Sequence, residues 1–258
     1  MSRLLAGALL ALSVASAPAC AQTTTTAPFT PSVGQAGKDV VWVPTPQALV
    51  DRMLNMAKLT KNDYLMDLGS GDGRTVITAA KRGATAHGVE YNPDMVKLSR
   101  EAAQKEGVAG KATFQQADLF TVDLSKATVL TMFLLPEINL KLRPKILQLR
   151  PGTRVVSNSF TMGDWEADET ANVDTSANCE SWCTAYLWIV PARVEGTHKT
   201  GAGEVRFKQT YQKLSGTLNA QGRTVPIESG RVRGDQVSFK AGGRDYSGKF
   251  AGGKLEIN

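Results

Sequence analysis

The sequence LMDLGSGDGRT at residues 65–75 joins an apolar stretch to a run of alternating glycines. Three apolar residues surround Asp67, and glycines follow at every second position: Gly69, Gly71 and Gly73. A strand followed by glycines and a helix forms a cradle in which the backbone touches a ligand without intervening side chains. In the dinucleotide-binding pattern G-x-G-x-x-G the third glycine would fall at Arg74. The pattern here is D-x-G-x-G-x-G, which indicates a different ligand.

Three acidic residues follow three consecutive predicted strands. Asp67 would repel a pyrophosphate but would attract a ligand carrying an ammonium or sulfonium group. Glu90 lies 21 residues after Gly69, at a spacing where an acid accepts hydrogen bonds from both ribose hydroxyls. Asp118 follows the third strand, where it can reach an adenine amino group. The carboxyl ends of parallel strands share one edge of an open α/β sheet, so the three acids indicate a cationic ligand with a sugar and a purine.

Alternating strands and helices surround this motif. Helices are predicted from an N-cap at Thr45 with Pro46 in first position, over 73–82, over 93–106, and over 137–149 with an interruption at Pro144. The predicted strands are YLMDL (64–68), AHGVE (86–90), ATFQQAD (112–118), ATVLTMFL (127–134), GTRVVSNSF (152–160) and AYLWIV (185–190). This alternation predicts an α/β fold with a doubly wound, mostly parallel sheet over residues 40–193. A count of seven strands is implied only by the family resemblance given below.

The composition changes at about residue 194. Residues 194–258 hold 12 of the 24 glycines and short stretches of alternating apolar and polar residues, which predict a small antiparallel β module of five to seven strands. They also hold 11 basic and 6 acidic residues, whereas residues 22–193 hold 18 of each. The surplus of the +6 net charge therefore lies in the C-terminal module, and no nucleic-acid partner is expected for the main domain.

The first 21 residues have the features of a secretory signal peptide. Arg3 precedes an apolar run over 4–12 that is too short to span a bilayer, and small residues lead to a cleavage site after Ala21. A periplasmic or secreted protein with no integral membrane segment after cleavage is expected. An apolar N-terminal helix, or a lipoprotein anchored through Cys20, remains an alternative. Residues 22–39 are predicted to be a flexible lead-in.

The two remaining cysteines, Cys179 and Cys183, are able to form a disulfide in an oxidising compartment. No metal site is expected, because the only histidines, His87 and His198, lie far from the cysteines in sequence.

The glycine loop and the three acids resemble the class I, seven-strand S-adenosylmethionine-dependent methyltransferases over roughly residues 40–192. The resemblance implies S-adenosyl-L-methionine as cofactor. It places the methionine part of the cofactor against Asp67 and the glycines, the ribose against Glu90, and the adenine against Asp118. The predicted cofactor-binding residues are Thr45, Asp67, Gly69, Ser70, Gly71, Gly73, Glu90, Tyr91, Asp118 and Leu119.

The segments DLGSGDGRTVITAAKRG, GVEYNPDMVKLSR and ADLF also resemble a subgroup of protein-lysine methyltransferases with a VPTP-like segment ahead of the first strand. The resemblance implies that Trp42, Pro44 and Thr45 cover the cofactor, although VPTP also suits a simple helix start. Later segments resemble exported bacterial methyltransferase-like proteins.

The function predicted is methyl transfer to an unidentified acceptor, protein or small molecule, with a protein lysine as one candidate. The residues expected to line the acceptor channel are Met132, Phe133, Leu134, Asn158 and Phe160. Trp165 is expected to be either a lid or a loop anchor, and no catalytic base is assigned. Two alternatives stay open: an exported protein that binds or senses the cofactor without turnover, and a platform whose β module docks to an acidic surface.

Overall fold

The computed structural model describes residues 29–173 and 179–257. The predicted signal peptide at 1–21 and the alternative anchor at Cys20 lie outside the described residues. The first part of the chain contains helices α1 (Gln47–Met56), α2 (Arg74–Lys81), α3 (Pro93–Lys105) and α4 (Pro136–Ile146). Its strands are β1 (Tyr64–Leu68), β2 (Thr85–Glu90), β3 (Ala112–Gln116), β4 (Val129–Met132), β5 (Arg154–Asn158), β6 (Glu169–Asn172) and β7 (Thr184–Ile189).

These seven strands form one mixed sheet in the order β3-β2-β1-β4-β5-β7-β6. The first five strands in this order, β3-β2-β1-β4-β5, are parallel to one another. Strand β7 is antiparallel to both β5 and β6. Helices α1, α2 and α3 bury their apolar residues on one face, and α4 packs on the other face together with the loop between β3 and β4. The predicted α/β sheet is therefore confirmed, and its last two strands make it mixed.

Three local predictions differ from the structure. Pro46, not Thr45, occupies the position before α1, which begins at Gln47 without a side-chain cap. Pro144 does not interrupt α4, because the fully buried Leu142 and Ile146 hold the last turn against the sheet and tertiary packing outweighs propensity. The edge strand β6 was not predicted, since its sequence ETAN buries only Ala171 and carries no strong apolar alternation.

The C-terminal part forms a second, wholly antiparallel sheet of seven strands. These are β8 (Gly196–Thr200), β9 (Gly203–Thr210), β10 (Lys213–Ala220), β11 (Arg223–Arg233), β12 (Gln236–Ala241), β13 (Arg244–Ala251) and β14 (Lys254–Ile257). Each strand pairs with the next in sequence, and β14 returns close to β8, so the sheet is nearly closed into a barrel. Phe207 and Phe239 pack at its centre.

The junction between the two sheets is built on Trp165. Its indole is fully buried, lies 6.1 Å from the Trp188 ring and stacks 5.9 Å from the Tyr211 ring of the second sheet. Of the two roles expected for Trp165, the structure shows the loop anchor. Around it, acidic side chains of residues 164–169 pair with basic side chains of the second sheet: Lys213 with Glu166, Arg231 with Asp168, and Arg233 with Glu169. Among the described residues, no helix is long and apolar enough to cross a membrane.

Candidate functional site

A cavity of about 410 Å³ opens at the carboxyl edge of the parallel strands. Its walls come from the leading segment 35–45, the glycine loop, the ends of β2, β3 and β4, and the residues that follow β5 and precede β7. The edge between β1 and β4 is the point where the chain reverses its direction of winding, the position at which open α/β sheets bind ligands.

The glycine loop closes one side of this cavity. Gly69, Gly71 and Gly73 all have positive φ, a region that favours glycine. A Cβ on Gly71 would lie 2.6 Å from the indole nitrogen of Trp42, and one on Gly73 would lie 2.8 Å from the Phe114 ring. Gly71 therefore lets the leading segment close over the loop, while Gly73 lets α2 start against the sheet.

Asp67 lies at the bottom of the cavity and is only 7% exposed. The β1–β4 register places it beside Thr131, whose hydroxyl donates a 2.7 Å hydrogen bond to the carboxylate. Burial raises the pKa of Asp67 to about 7, with the hydrogen bond opposing it and the nearby charges of Glu90 and Asp72 adding to it. Within the described chain no basic side chain pairs with this carboxylate. A cation from a ligand would supply the missing partner.

Glu90, at the end of β2, joins the loop to the next helix. One carboxylate oxygen accepts the backbone N–H of Gly71 and the other accepts that of Asn92, both at 2.9 Å. Asn92 in turn caps α3 by accepting the N–H of Asp94. Glu90 also lines the cavity, and each of its carboxylate oxygens can accept one further hydrogen bond, the number needed for two sugar hydroxyls.

Asp118 is engaged by Lys38 from the leading segment. The Lys38 ammonium lies 2.5 Å from the carboxylate and 5.1 Å from the centre of the Tyr91 ring. The hydrogen bond from Lys38, followed by that from the backbone N–H of Phe120, lowers the pKa of Asp118. Lys38 thus contacts the carboxylate that the resemblance assigns to the adenine amino group.

The leading segment is fastened at Thr45 to the first residue of α2 and to the last residue of β5. Arg74 forms a bidentate pair with Asp72 and donates to the Thr45 carbonyl at 3.0 Å. The Thr45 hydroxyl accepts a 3.3 Å hydrogen bond from the Asn158 amide. Trp42, Pro44 and Thr45 all line the cavity.

The acceptor end of the cavity is apolar. Met132, Phe133 and Leu134 follow one another at the end of β4, and Phe160 follows β5. The Phe133 and Phe160 rings lie 6.0 Å apart, and the exposed Trp182 indole joins them.

Most of the residues predicted from the sequence line this one cavity: Thr45, Asp67, Gly69, Ser70, Gly71, Glu90, Tyr91, Asp118 and Leu119 for the cofactor, and Met132, Phe133, Leu134 and Phe160 for the acceptor. Gly73 and Asn158 are not among the residues that line the cavity. Asn158 is fully buried and positions Thr45, so its predicted place in the channel is not observed. Sequence reasoning missed Lys38, Arg74 and Trp182. For Trp182, its position between Cys179 and Cys183 was a signal that could have been used. Lys38 gave no signal, because it lies in the segment 22–39 that was predicted to be a flexible lead-in.

The strand order, the glycine loop and the three acids around one cavity define a class I S-adenosylmethionine-dependent methyltransferase. The ANTKMT methyltransferase domain family matches residues 67–169. A protein-lysine N-methyltransferase of Saccharolobus islandicus is 42% identical over 163 residues, 62% of this chain and 96% of the relative. The adenine nucleotide translocase lysine N-methyltransferase of Mus musculus is 36% identical over 104 residues, 40% of this chain and 45% of the relative.

A solved structure shows the same likeness. An RNA methyltransferase from Salinibacter ruber in complex with S-adenosyl-L-homocysteine is 48% identical, with a TM-score of 0.55, covering 58% of this chain and 95% of that one. This chain belongs to the protein-lysine N-methyltransferase family. The predicted enzyme class and cofactor, S-adenosyl-L-methionine, are confirmed by these relatives.

The residues present fit this cofactor. The buried Asp67 faces the cavity without a basic partner in the described chain, as a site for an ammonium or sulfonium group requires. The buried Ser70 hydroxyl also lines the cavity and has no hydrogen-bond partner among the described residues. The individual roles of these residues toward the cofactor remain predictions.

Proposed function

We propose that the acceptor of the methyl group is the ε-amino group of a lysine in a protein partner. The observation that carries this proposal is the 42% identity to a protein-lysine N-methyltransferase of which the chain covers 96%. The Salinibacter relative makes RNA the competing acceptor. The cavity favours the lysine, because its two basic lining residues, Lys38 and Arg74, are already paired with Asp118 and Asp72.

The walls divide the cavity into two working halves. The ends of β1, β2 and β3 hold the acids that would fix the cofactor, and the ends of β4 and β5 hold the apolar residues that would receive the acceptor. Bound S-adenosyl-L-methionine would supply a methyl carbon on a positively charged sulfur, and the lone pair of the amine would bond to that carbon as the C–S electron pair returned to sulfur. The chain's part is to align the amine and to exclude water.

The acceptor half offers no proton acceptor among its described side chains, Met132, Phe133, Leu134 and Phe160. The lysine must therefore lose its proton to water before it attacks. Since a lysine ammonium has a pKa of about 10.4, the rate of transfer should rise with pH across the neutral range.

The test is incubation with methyl-tritiated S-adenosyl-L-methionine and a protein extract of the source cells. Label that survives nuclease, disappears with protease and appears as methyl-lysine after acid hydrolysis supports the proposal. Label released by nuclease assigns RNA as the acceptor and overturns it. Asp67→Asn is the inactive control, and Asp245→Asn, at a carboxylate 79% exposed on the second sheet, is the matched active control.

We further propose that the protein works in an oxidising compartment. The composition of residues 1–21 and the pairing of Cys179 with Cys183 support this proposal. Fractionation of the source cells, followed by N-terminal sequencing of the protein, tests it. A cytoplasmic protein that retains residues 1–21 would contradict it.

A further inference from the structure

Three aromatic rings stand together at the acceptor end of the cavity. Phe133 follows β4, Phe160 follows β5 and Trp182 precedes β7, whose first residues run beside the end of β5. The ring centres lie 6.0 Å apart for Phe133 and Phe160, 6.1 Å for Phe133 and Trp182, and 5.3 Å for Phe160 and Trp182. All three residues line the cavity, so an acceptor approaching from the β4 side must pass them.

Trp182 has an exposure and a backbone conformation that are both unfavourable for a tryptophan. Its side chain is 45% exposed, although an indole is more stable when buried. Its φ is 61°, in the left-handed region that a bulky residue rarely adopts. Residues in such conformations persist where the surrounding structure fixes them, often at ligand-binding sites.

The restraint on Trp182 is the disulfide between Cys179 and Cys183, which closes a ring of five residues around it. Cys179 is fully buried, and the Cys183 carbonyl accepts a 2.9 Å hydrogen bond from the N–H of Val173, next to β6. The ring is therefore fastened to the body of the protein at both cysteines. The C-x3-C motif has no other part in the site described above.

We propose that Trp182, held by the Cys179–Cys183 disulfide, forms with Phe133 and Phe160 an aromatic wall that binds the side chain of the acceptor lysine. This role rests on the proposed lysine activity. Trp182 selects the acceptor, and the Cys179–Cys183 disulfide positions Trp182. The aromatic faces suit a four-carbon stem and a terminal amine, and they attract a cationic nitrogen by cation–π interaction. Reduction of the disulfide releases Trp182 and weakens acceptor binding without touching the cofactor half.

The closing experiment measures binding directly, in the presence of S-adenosyl-L-homocysteine. The probe is Nα-acetyl-Nε-trimethyl-lysine methylamide, and its neutral analogue carries carbon in place of the quaternary nitrogen. The proteins are the full chain, Trp182→Ala, Trp182→Phe, and the double variant Cys179→Ser with Cys183→Ser. Val33→Ala, at an exposed apolar residue outside the cavity wall, is the control.

The full chain should bind the cation several-fold more tightly than the neutral analogue. Trp182→Ala should weaken cation binding about fivefold and remove this preference, while Trp182→Phe keeps part of it. The double serine variant should match the reduced full chain and should not respond to reductant. The dissociation constant for S-adenosyl-L-methionine should be the same in all of them, which shows that the fold is intact.

Equal probe binding by the full chain, Trp182→Ala and the double serine variant overturns the inference, as does a full chain that does not bind the probe. These outcomes leave the proposed function standing if lysine is labelled in the transfer assay. Conversely, probe binding that depends on Trp182, without any lysine labelling, supports the aromatic wall as an amine site and removes the proposed acceptor.

Discussion

Asp63 lies directly before β1 and Asp67 lies near the other end of that strand, and each is only 7% exposed. At the amino edge, burial that would raise the pKa of Asp63 is outweighed by hydrogen bonds from Arg154, Thr128 and Thr60, so its pKa is lowered. At the carboxyl edge, Asp67 has the hydrogen bond from Thr131 but no basic partner in the described chain, and burial raises its pKa to about 7.

The difference separates a structural acid from a binding acid. The amino edge of the sheet supplies its own cation through Arg154, which also donates to the Ala57 carbonyl. At the carboxyl edge we expect the ligand to supply the cation, and the uncompensated carboxylate of Asp67 should cost stability when none is bound. Substitutions at the two positions should therefore have opposite effects.

The largest effect is expected for Asp63→Asn. It leaves the Arg154 guanidinium without its counter-charge in a site that is largely removed from water. Breaking a buried pair in this way costs about 3 kcal/mol of the free energy of unfolding. Urea unfolding at pH 7 measures the loss, and a change under 1 kcal/mol would contradict the structural role. The cofactor affinity of the folded fraction should be unchanged.

Asp67→Asn should have the reverse profile. Loss of the carboxylate should weaken S-adenosyl-L-methionine binding about 100-fold, equivalent to about 2.7 kcal/mol. The amide keeps the Thr131 hydrogen bond and needs no charge to be buried, so the ligand-free protein at pH 8 should become more stable. Calorimetric titration and urea unfolding measure the two effects. Unchanged affinity would remove Asp67 from the site.

Arg231→Ala removes the basic partner of Asp168 and should leave that buried carboxylate without a counter-charge. The Asp168 side chain is 1% exposed and accepts from Arg231 and from the Ile189 N–H. Without the guanidinium, the buried carboxylate keeps only the backbone donor, which should cost about 2 kcal/mol. Thermal unfolding checks this figure. Arg233→Ala, at the more exposed pair with Glu169, should change stability by less than about 1 kcal/mol.

Apart from the Arg233→Ala control, the smallest effect expected is the pH dependence of cofactor binding. If only ionised Asp67 binds the cation, affinity should be about tenfold weaker at pH 6 than at pH 8, because its pKa is about 7. The ligand-free protein should behave oppositely. The folded state binds the Asp67 proton more tightly than the unfolded state does, so this contribution to stability is lost as pH rises from about 4 through 7. Both dependences should disappear in Asp67→Asn.

The sequence predicted the features that repeat a strong local pattern. The D-x-G-x-G-x-G motif, Glu90 and Asp118 could be placed at one edge because parallel strands all end there. The antiparallel module was visible because apolar and polar residues alternate between glycine-rich turns. In the first sheet these patterns indicated every strand except β6, where a single buried alanine gives no signal. For the second sheet they predicted five to seven strands, and the structure has seven.

The parts that escaped prediction depend on tertiary contacts between distant segments. Lys38 reaches Asp118 across 80 positions of sequence, and no local pattern distinguishes it from a lysine in a loop. Asn158 looked like a channel residue because it ends β5, but its amide is taken by Thr45. Trp182 joins Phe133 and Phe160 only through the return of β7 to the carboxyl edge.

The surplus positive charge of the C-terminal module also acquired a partner that the sequence did not reveal. Lys213, Arg231 and Arg233 meet acidic residues of the segment 164–169 in the same chain. These ion pairs lie within the chain, and the docking of the β module to an external acidic surface stays a prediction.

The close approach of Trp42 to Gly71 bears on which step limits the turnover rate. The indole rests on the loop that cradles the cofactor, and the same segment carries Lys38 to Asp118. We therefore expect this segment to lift before a spent cofactor leaves, once in each turnover. Burst kinetics, with a fast first methyl transfer followed by slower steady-state cycles, are the signature of an enzyme whose speed is set by that movement.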